Sequence, residues 1–148
     1  FTTNPDRTHR NPNLLIWQRK PWLIDHGAAL YAHHDWASVT EERTRNPFTL
    51  IRSHVLLARA GDLAVANDES AALLAADAIA EVIAAVPDEL LLDDSEGRSE
   101  FASAADARER YVRYLTGRLD ARAGWLAAMT EAQAQLRIEA PQHLKARR

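Results

Sequence analysis

From about residue 47 onward the chain is written almost wholly in helix formers, and that run limits the folds open to it. Ala, Leu, Arg and Glu dominate, and apolar residues recur at spacings of three and four, the repeat of a helix with one buried face. Asn46-Pro47 predicts the start of a helix over roughly 48–60, with Gly61 just past its end, where a left-handed residue costs little. Asp68 predicts a second helix reaching about Val86, with Leu73, Leu74, Ala78, Ile79, Val82 and Ile83 as one apolar stripe. Pro87-Asp88 opens a short helical turn ending near Leu92, and Asp93 to Ser99 reads as a polar connection. A last helical stretch runs from about Ala102 to Arg137, with Gly117 and Gly124 as candidate breaks. Tyr111, Tyr114, Leu115, Trp125, Leu126 and Met129 form its expected buried face.

The first third reads differently. Residues 2–13 hold two prolines, three asparagines and almost nothing apolar, which is the composition of a loop. Leu14-Leu15-Ile16-Trp17, a turn at Gln18-Arg19-Lys20-Pro21, and Trp22-Leu23-Ile24 then predict a small β-hairpin that Asp25-His26-Gly27 leaves. The expected fold class is mainly α with a small β-hairpin. At 148 residues and 47% hydrophobic content, one domain with a real core is expected, residues 1–34 carrying the loop and hairpin and 47–140 the helices. The 18 basic and 21 acidic residues are interspersed and the net charge is -3, so no nucleic-acid or anionic-membrane footprint is present. There is no cysteine and no apolar run near the ~20 residues of a membrane span, and the expected location is cytoplasmic. Met129 is the only methionine, so Phe1 is expected to be internal to a longer product.

The candidate chemistry lies in the loop and hairpin. Phosphoryl transfer needs a carboxylate beside the acceptor hydroxyl and oxygen ligands that hold magnesium against the phosphates. Asp6 is followed five positions later by Asn11, then by the hairpin, then by Asp25-His26-Gly27. Two short antiparallel strands return the chain to its starting point, so Asp25 is expected beside the loop of Asp6 and Asn11. A hard cation suits a carboxylate plus a neutral amide oxygen, leaving Asp6 free to orient a hydroxyl. The amide ligand is either Asn11, by its count from Asp6, or Asn13, by its place directly before the strand.

The strings Asn4-Pro5-Asp6-Arg7, Arg10-Asn11-Pro12-Asn13-Leu14-Leu15 and Trp22-Leu23-Ile24-Asp25-His26-Gly27-Ala28-Ala29-Leu30-Tyr31 resemble the HipA-like kinase domain proteins of bacteria. The resemblance is densest over 4–34 and continues weakly through His54-Val55-Leu56-Leu57 and Val86-Pro87-Asp88-Glu89-Leu90. It implies the C-terminal lobe of a protein-kinase-like fold, with Asp6 as catalytic Asp, Asn11 or Asn13 with Asp25 as magnesium ligands, and ATP as donor. The implied partners are a protein substrate, a nucleotide-gripping N-lobe and, as in toxin relatives, an antitoxin. His26 stands where most kinases carry Phe. Lys20 and Lys145 are the only lysines and neither has a phosphate-gripping strand context, so these 148 residues alone are expected to be inactive.

Blander readings stand beside these. Asp, Asn and Gly populate loops for turn-making reasons alone. His33-His34-Asp35 reads as surface or phosphate-edge contacts rather than a metal site, because adjacent histidines rarely face one ion. His9 and His26 lack the serine elbow of a hydrolase. Trp17, Trp22 and Trp36 read as core aromatics rather than a base-stacking platform. Arg108, Arg110, Arg113, Arg118 and Arg122, interleaved with Asp106, Glu109 and Asp120, read as ion pairs on a solvated face. The rival functions are a non-catalytic pseudokinase or protein-binding helical module, and a phosphoinositide-type lipid kinase, for which a membrane-facing patch would be needed and none is evident.

Overall fold

A computed structural model describes residues 1–92 and 100–139. The expected polar connection over 93–99 and Lys145 lie outside those residues.

Strands β1 (Leu14–Trp17) and β2 (Lys20–Leu23) form the expected antiparallel hairpin, in the register Leu14 to Leu23 and Trp17 to Lys20. The turn is shorter than predicted: Gln18 and Arg19 alone make it, at φ of 49° and 63°, the two left-handed residues of a tight hairpin loop. Lys20 and Pro21 belong to β2 instead. Pro21 is tolerated because it faces Ile16 at a pair where the strands exchange no backbone hydrogen bond. Trp17 (60% exposed) and Trp22 (52% exposed) are not core residues, contrary to expectation. Leu15, Ile16, Leu23 and Ile24 are exposed as well, because a two-stranded ribbon with both faces open has no layer to bury them under.

Six α-helices follow among the described residues: α1 (Glu41–Arg45), α2 (Leu63–Leu73), α3 (Ala76–Ala84), α4 (Asp88–Leu91), α5 (Ala104–Asp120) and α6 (Arg122–Glu139). The fold is therefore mainly helical with one small hairpin. Trp36 is the core aromatic of the expected three. It meets Tyr111 edge-on at 4.7 Å between ring centres, with Phe101 and Tyr114 at 5.6 and 5.8 Å, over Ile79, Ile83, Leu91 and Leu115.

Several helix boundaries differ from the expectation, each for an identifiable reason. Residues 48–60 form no α-helix but two 3-10 turns, Thr49–Ser53 and Leu57–Arg59. Side chains of α6 hold the carbonyls there: Gln133 Nε2 donates to Leu57 O (3.1 Å) and Ala60 O (2.9 Å), and Arg137 Nη2 donates to Ala60 O (2.6 Å). Helix α2 starts at Leu63, not near Asp68, because Asp62 accepts from Ala64 N and Val65 N as its N-cap. The stripe over 73–83 is interrupted between α2 and α3, so Ile79 and Ile83 are buried while Leu73 and Val82 are exposed. The last stretch breaks at Ala121 rather than at either glycine. The indole of Trp125 donates to Arg118 O (3.0 Å) and Arg122 to Leu119 O, so side chains satisfy the end of α5. Gly117 serves packing instead: a Cβ there would lie 3.0 Å from Thr44 Cγ2 of α1. No helix among the described residues is long and apolar enough to cross a membrane.

Candidate functional site

The loop before β1 is built from short-range side-chain hydrogen bonds. Asn4 Oδ1 accepts from Asp6 N (2.9 Å), and Thr8 Oγ1 accepts from Arg10 N and Asn11 N, turning the chain twice in eight residues. Thr8 N closes the second turn on Asn11 O (3.0 Å). These turns bring Asn11 and Asn13 onto one carboxylate oxygen: Asp6 Oδ2 accepts from Asn11 Nδ2 at 2.8 Å and from Asn13 Nδ2 at 3.2 Å.

That contact orients both amides. An ionised carboxylate only accepts, so each asparagine must present its NH2 to Asp6 and turn its Oδ1 away. Neither Oδ1, nor Asp6 Oδ1, receives a protein hydrogen bond among the described residues. Asn11 is exposed, whereas Asn13 is buried and sits at φ 46°, a left-handed position that Asn tolerates better than most residues. The two asparagines thus share the same partner but differ in anchorage.

Asp25 arrives through the hairpin. Ile24 N donates to Asn13 O (3.0 Å), extending the ladder one pair beyond β1 and β2, and Asp25 follows at φ 51°. Its carboxylate is exposed, makes no hydrogen bond or ion pair among the described residues, and turns over Gly27, where an added Cβ would meet Oδ1 at 3.6 Å. Asp6, Asn11 and Asn13 are therefore joined by side-chain contact, and Asp25 is tied to them through backbone pairing. By chemical type, a neutral amide oxygen and an unpartnered carboxylate are the hard oxygen donors that magnesium takes. No cluster of three or more His, Cys, Asp or Glu side chains able to hold a metal occurs among the described residues.

Two site residues were not legible in the sequence. Arg7, 6% exposed, donates Nη1 to Asn13 O (2.6 Å) and Nη2 to Ile24 O (3.3 Å), so one guanidinium clamps the end of the loop to the end of the hairpin. Its Nη2 also meets His26 Nδ1 at 3.2 Å. Since Arg only donates, Nδ1 must accept, and the proton on Nε2 is then free to go to Leu23 O at 3.2 Å. His26 is thereby a structural partner of Arg7. His54 is the second: it bridges Thr8 as an isolated β-pair, while Val55 N donates to Arg7 O. Burial, and secondarily the Arg7 charge, hold its imidazole below the usual histidine range. The only signals were their places in the quoted strings, Arg7 beside Asp6 and His54 at the head of His54-Val55-Leu56-Leu57, and neither place announces a structural role.

The other candidates resolve plainly. His33 meets the Tyr111 hydroxyl, His34 packs edge-on against Tyr31, and Asp35 accepts from Ser38 N and pairs with Arg43, so the three do not converge. Arg110–Asp106 and Arg113–Glu109 are the expected exposed pairs, and Arg108 instead pairs with Asp88. Arg118 departs most from expectation. It is 2% exposed and holds backbone carbonyls rather than an acid, because α5 turns it inward onto α1. The chain matches no family model, no curated protein and no solved structure, so its likeness to HipA-like kinases rests on the residues quoted above.

Proposed function

We propose that these 148 residues are the catalytic-loop-bearing C-terminal lobe of an ATP- and magnesium-dependent phosphotransferase of HipA-like kind. The observation that supports this reading is the convergence of Asn11 and Asn13 on Asp6 Oδ2, with Ile24 N, one residue before Asp25, bonded to Asn13 O at the end of the hairpin. Asp6 keeps Oδ1 open to accept from a serine or threonine hydroxyl and to take its proton late in transfer. Asn13, or Asn11, would hold magnesium together with Asp25, and the ion would neutralise charge on the phosphates. Arg7 acts as a positioning residue, fixing the distance between the Asn13 and Asp25 ends of the site. The grip on the nucleotide belongs to a lobe outside these residues.

The test uses the intact gene product with magnesium and ATP, reading phosphate incorporation by mass spectrometry. Asn tolerates left-handed backbone as Asp does, so Asp25→Asn removes charge while leaving the turn intact. Transfer should vanish while the fold is retained. Asp6→Asn should lower turnover by about 10²–10⁴-fold with little change in nucleotide affinity. Near-normal turnover in Asp25→Asn would reject the assignment. A second reading, a non-catalytic binding module, is favoured by the exposed apolar faces of the hairpin, and it predicts no transfer in the unsubstituted protein either.

A further inference from the structure

A cavity of about 450 Å³ opens beside Thr3 and Pro5, immediately ahead of Asp6. Its walls are largely apolar, with Tyr31, Phe48 and Leu50 prominent, and it is lined by two cations, Arg43 and Arg118, with no acidic residue among the described ones. Volume and lining suit a small, partly apolar group rather than bulk water.

Arg118 makes the cavity unusual. Its guanidinium is 2% exposed, donating Nε to Phe1 O (2.8 Å) and Nη1 to Thr44 O (3.0 Å) and Asn46 O (3.3 Å). Nη2 is buried without a partner, and no carboxylate pairs with this cation among the described residues. Burial is the larger influence on the guanidinium and lowers its pKa, and the nearby Tyr114 hydroxyl offsets this only in part by favouring the charged form. A buried charge met only by neutral dipoles is a standing cost that a bound anion would relieve. Arg43, 41% exposed and only loosely paired with Asp35 at 3.5 Å, stands at the rim.

We propose that this cavity takes the carboxylate of an acidic side chain on an acceptor polypeptide, anchored by Arg118. One buried Nη2 group, with two N–H bonds and no protein partner, between apolar walls matches a monoanionic carboxylate; a phosphate monoester carries more charge and more oxygens than the lining can satisfy. Peptide rather than free acid follows from place: Thr3 and Pro5 lead directly into Asp6, and Tyr31 and Leu50 leave apolar surface exposed for flanking residues. Calling the polypeptide an acceptor rests on the phosphotransferase reading; the carboxylate site does not.

The test is binding to the intact protein without nucleotide, by calorimetry and by NMR of the arginine Nε–H signals. The probes are an acetylated, amidated pentapeptide Ala-Ser-Leu-Glu-Ala and its counterpart with Gln in place of Glu. The Glu peptide should bind at least about tenfold more tightly, a ratio typical of a charge-assisted bond, and should shift the Arg118 Nε signal. Asn46→Asp keeps the backbone carbonyl that Arg118 uses and adds a competing carboxylate to the lining, so it should bring the ratio close to one. Failure of both peptides to bind, equal binding of the two, or an undiminished ratio in Asn46→Asp overturns the proposal. Equally tight binding of N-acetylglutamate amide overturns the peptide assignment. Glu-selective binding in a protein that transfers no phosphate would sink the phosphotransferase reading and leave this site standing.

Discussion

At the scale of single residues, the loop depends on a buried cation whose neighbours must stay uncharged. Arg7 is flanked by the carbonyls of Asn13 and Ile24, by His26 Nδ1 and, across the bridge at Thr8, by His54. His54 Nδ1 accepts from Leu56 N at 3.2 Å, so protonation there would break a hydrogen bond and add a second cation beside Arg7. With its folded-state pKa below the ordinary 6.5, His54 binds fewer protons folded than unfolded just under that value. Stability is therefore complete above about pH 6.5 and declines as pH falls through the folded-state pKa. His54→Gln should flatten the dependence of unfolding free energy on pH between about 7 and 5 in urea titrations; an unchanged slope would mean that His54 is not its source. Residue types were the legible part at this scale. Asn13 and Asp25 both occupy left-handed backbone, so their identities serve the turn as well as any chemistry.

At the scale of elements, the hairpin is the weakest piece. It has two strands, both faces exposed, and a two-residue loop built from Gln18 and Arg19, side chains that pay a steric penalty at positive φ. Gln18→Asn with Arg19→Gly supplies the residue types such a loop favours and should stabilise the hairpin by about 1 kcal/mol. That corresponds to about fivefold greater hydrogen-exchange protection of the β1 and β2 amides. Protection unchanged by the double substitution would show that the loop conformation differs from the one described. The hairpin itself was legible because its two apolar runs flank a polar turn. Its bareness was not, since Trp17 and Trp22 look like core residues until it is known that nothing covers them.

At the scale of the whole molecule, α6 reaches the candidate site through one intermediate segment. Gln133 and Arg137 grip the carbonyls of residues 57–60, the same segment offers Val55 N to Arg7 O, and Arg7 spans loop and hairpin. Gln133 is buried, so Gln133→Met would remove its bonds to the Leu57 and Ala60 carbonyls, which keep Ala60 N and Arg137 Nη2 as donors, and should cost about 0.5–1.5 kcal/mol in chemical denaturation. The Val55 amide should exchange faster in the same variant. A loss of global stability with Val55 exchange unaltered beyond it would show that α6 and the loop are not coupled through this segment.

Periodicity, turn chemistry and the Asp6, Asn11, Asn13 and Asp25 spacing were determined by the sequence alone, because each depends on neighbours a few positions away. The mainly helical class, the hairpin and the short-range bonds of the loop follow from such local terms. Tertiary structure decided the rest: that 48–60 is no helix, that Arg118 is buried, and that Arg7 and His54 support the loop. In each case the deciding partner lies far along the chain, 76 positions between Leu57 and Gln133 and 74 between Thr44 and Arg118. A buried carbonyl takes whichever donor the packed helices bring to it, and local propensity, worth only tenths of a kcal/mol to about 1 kcal/mol per residue, yields to that requirement.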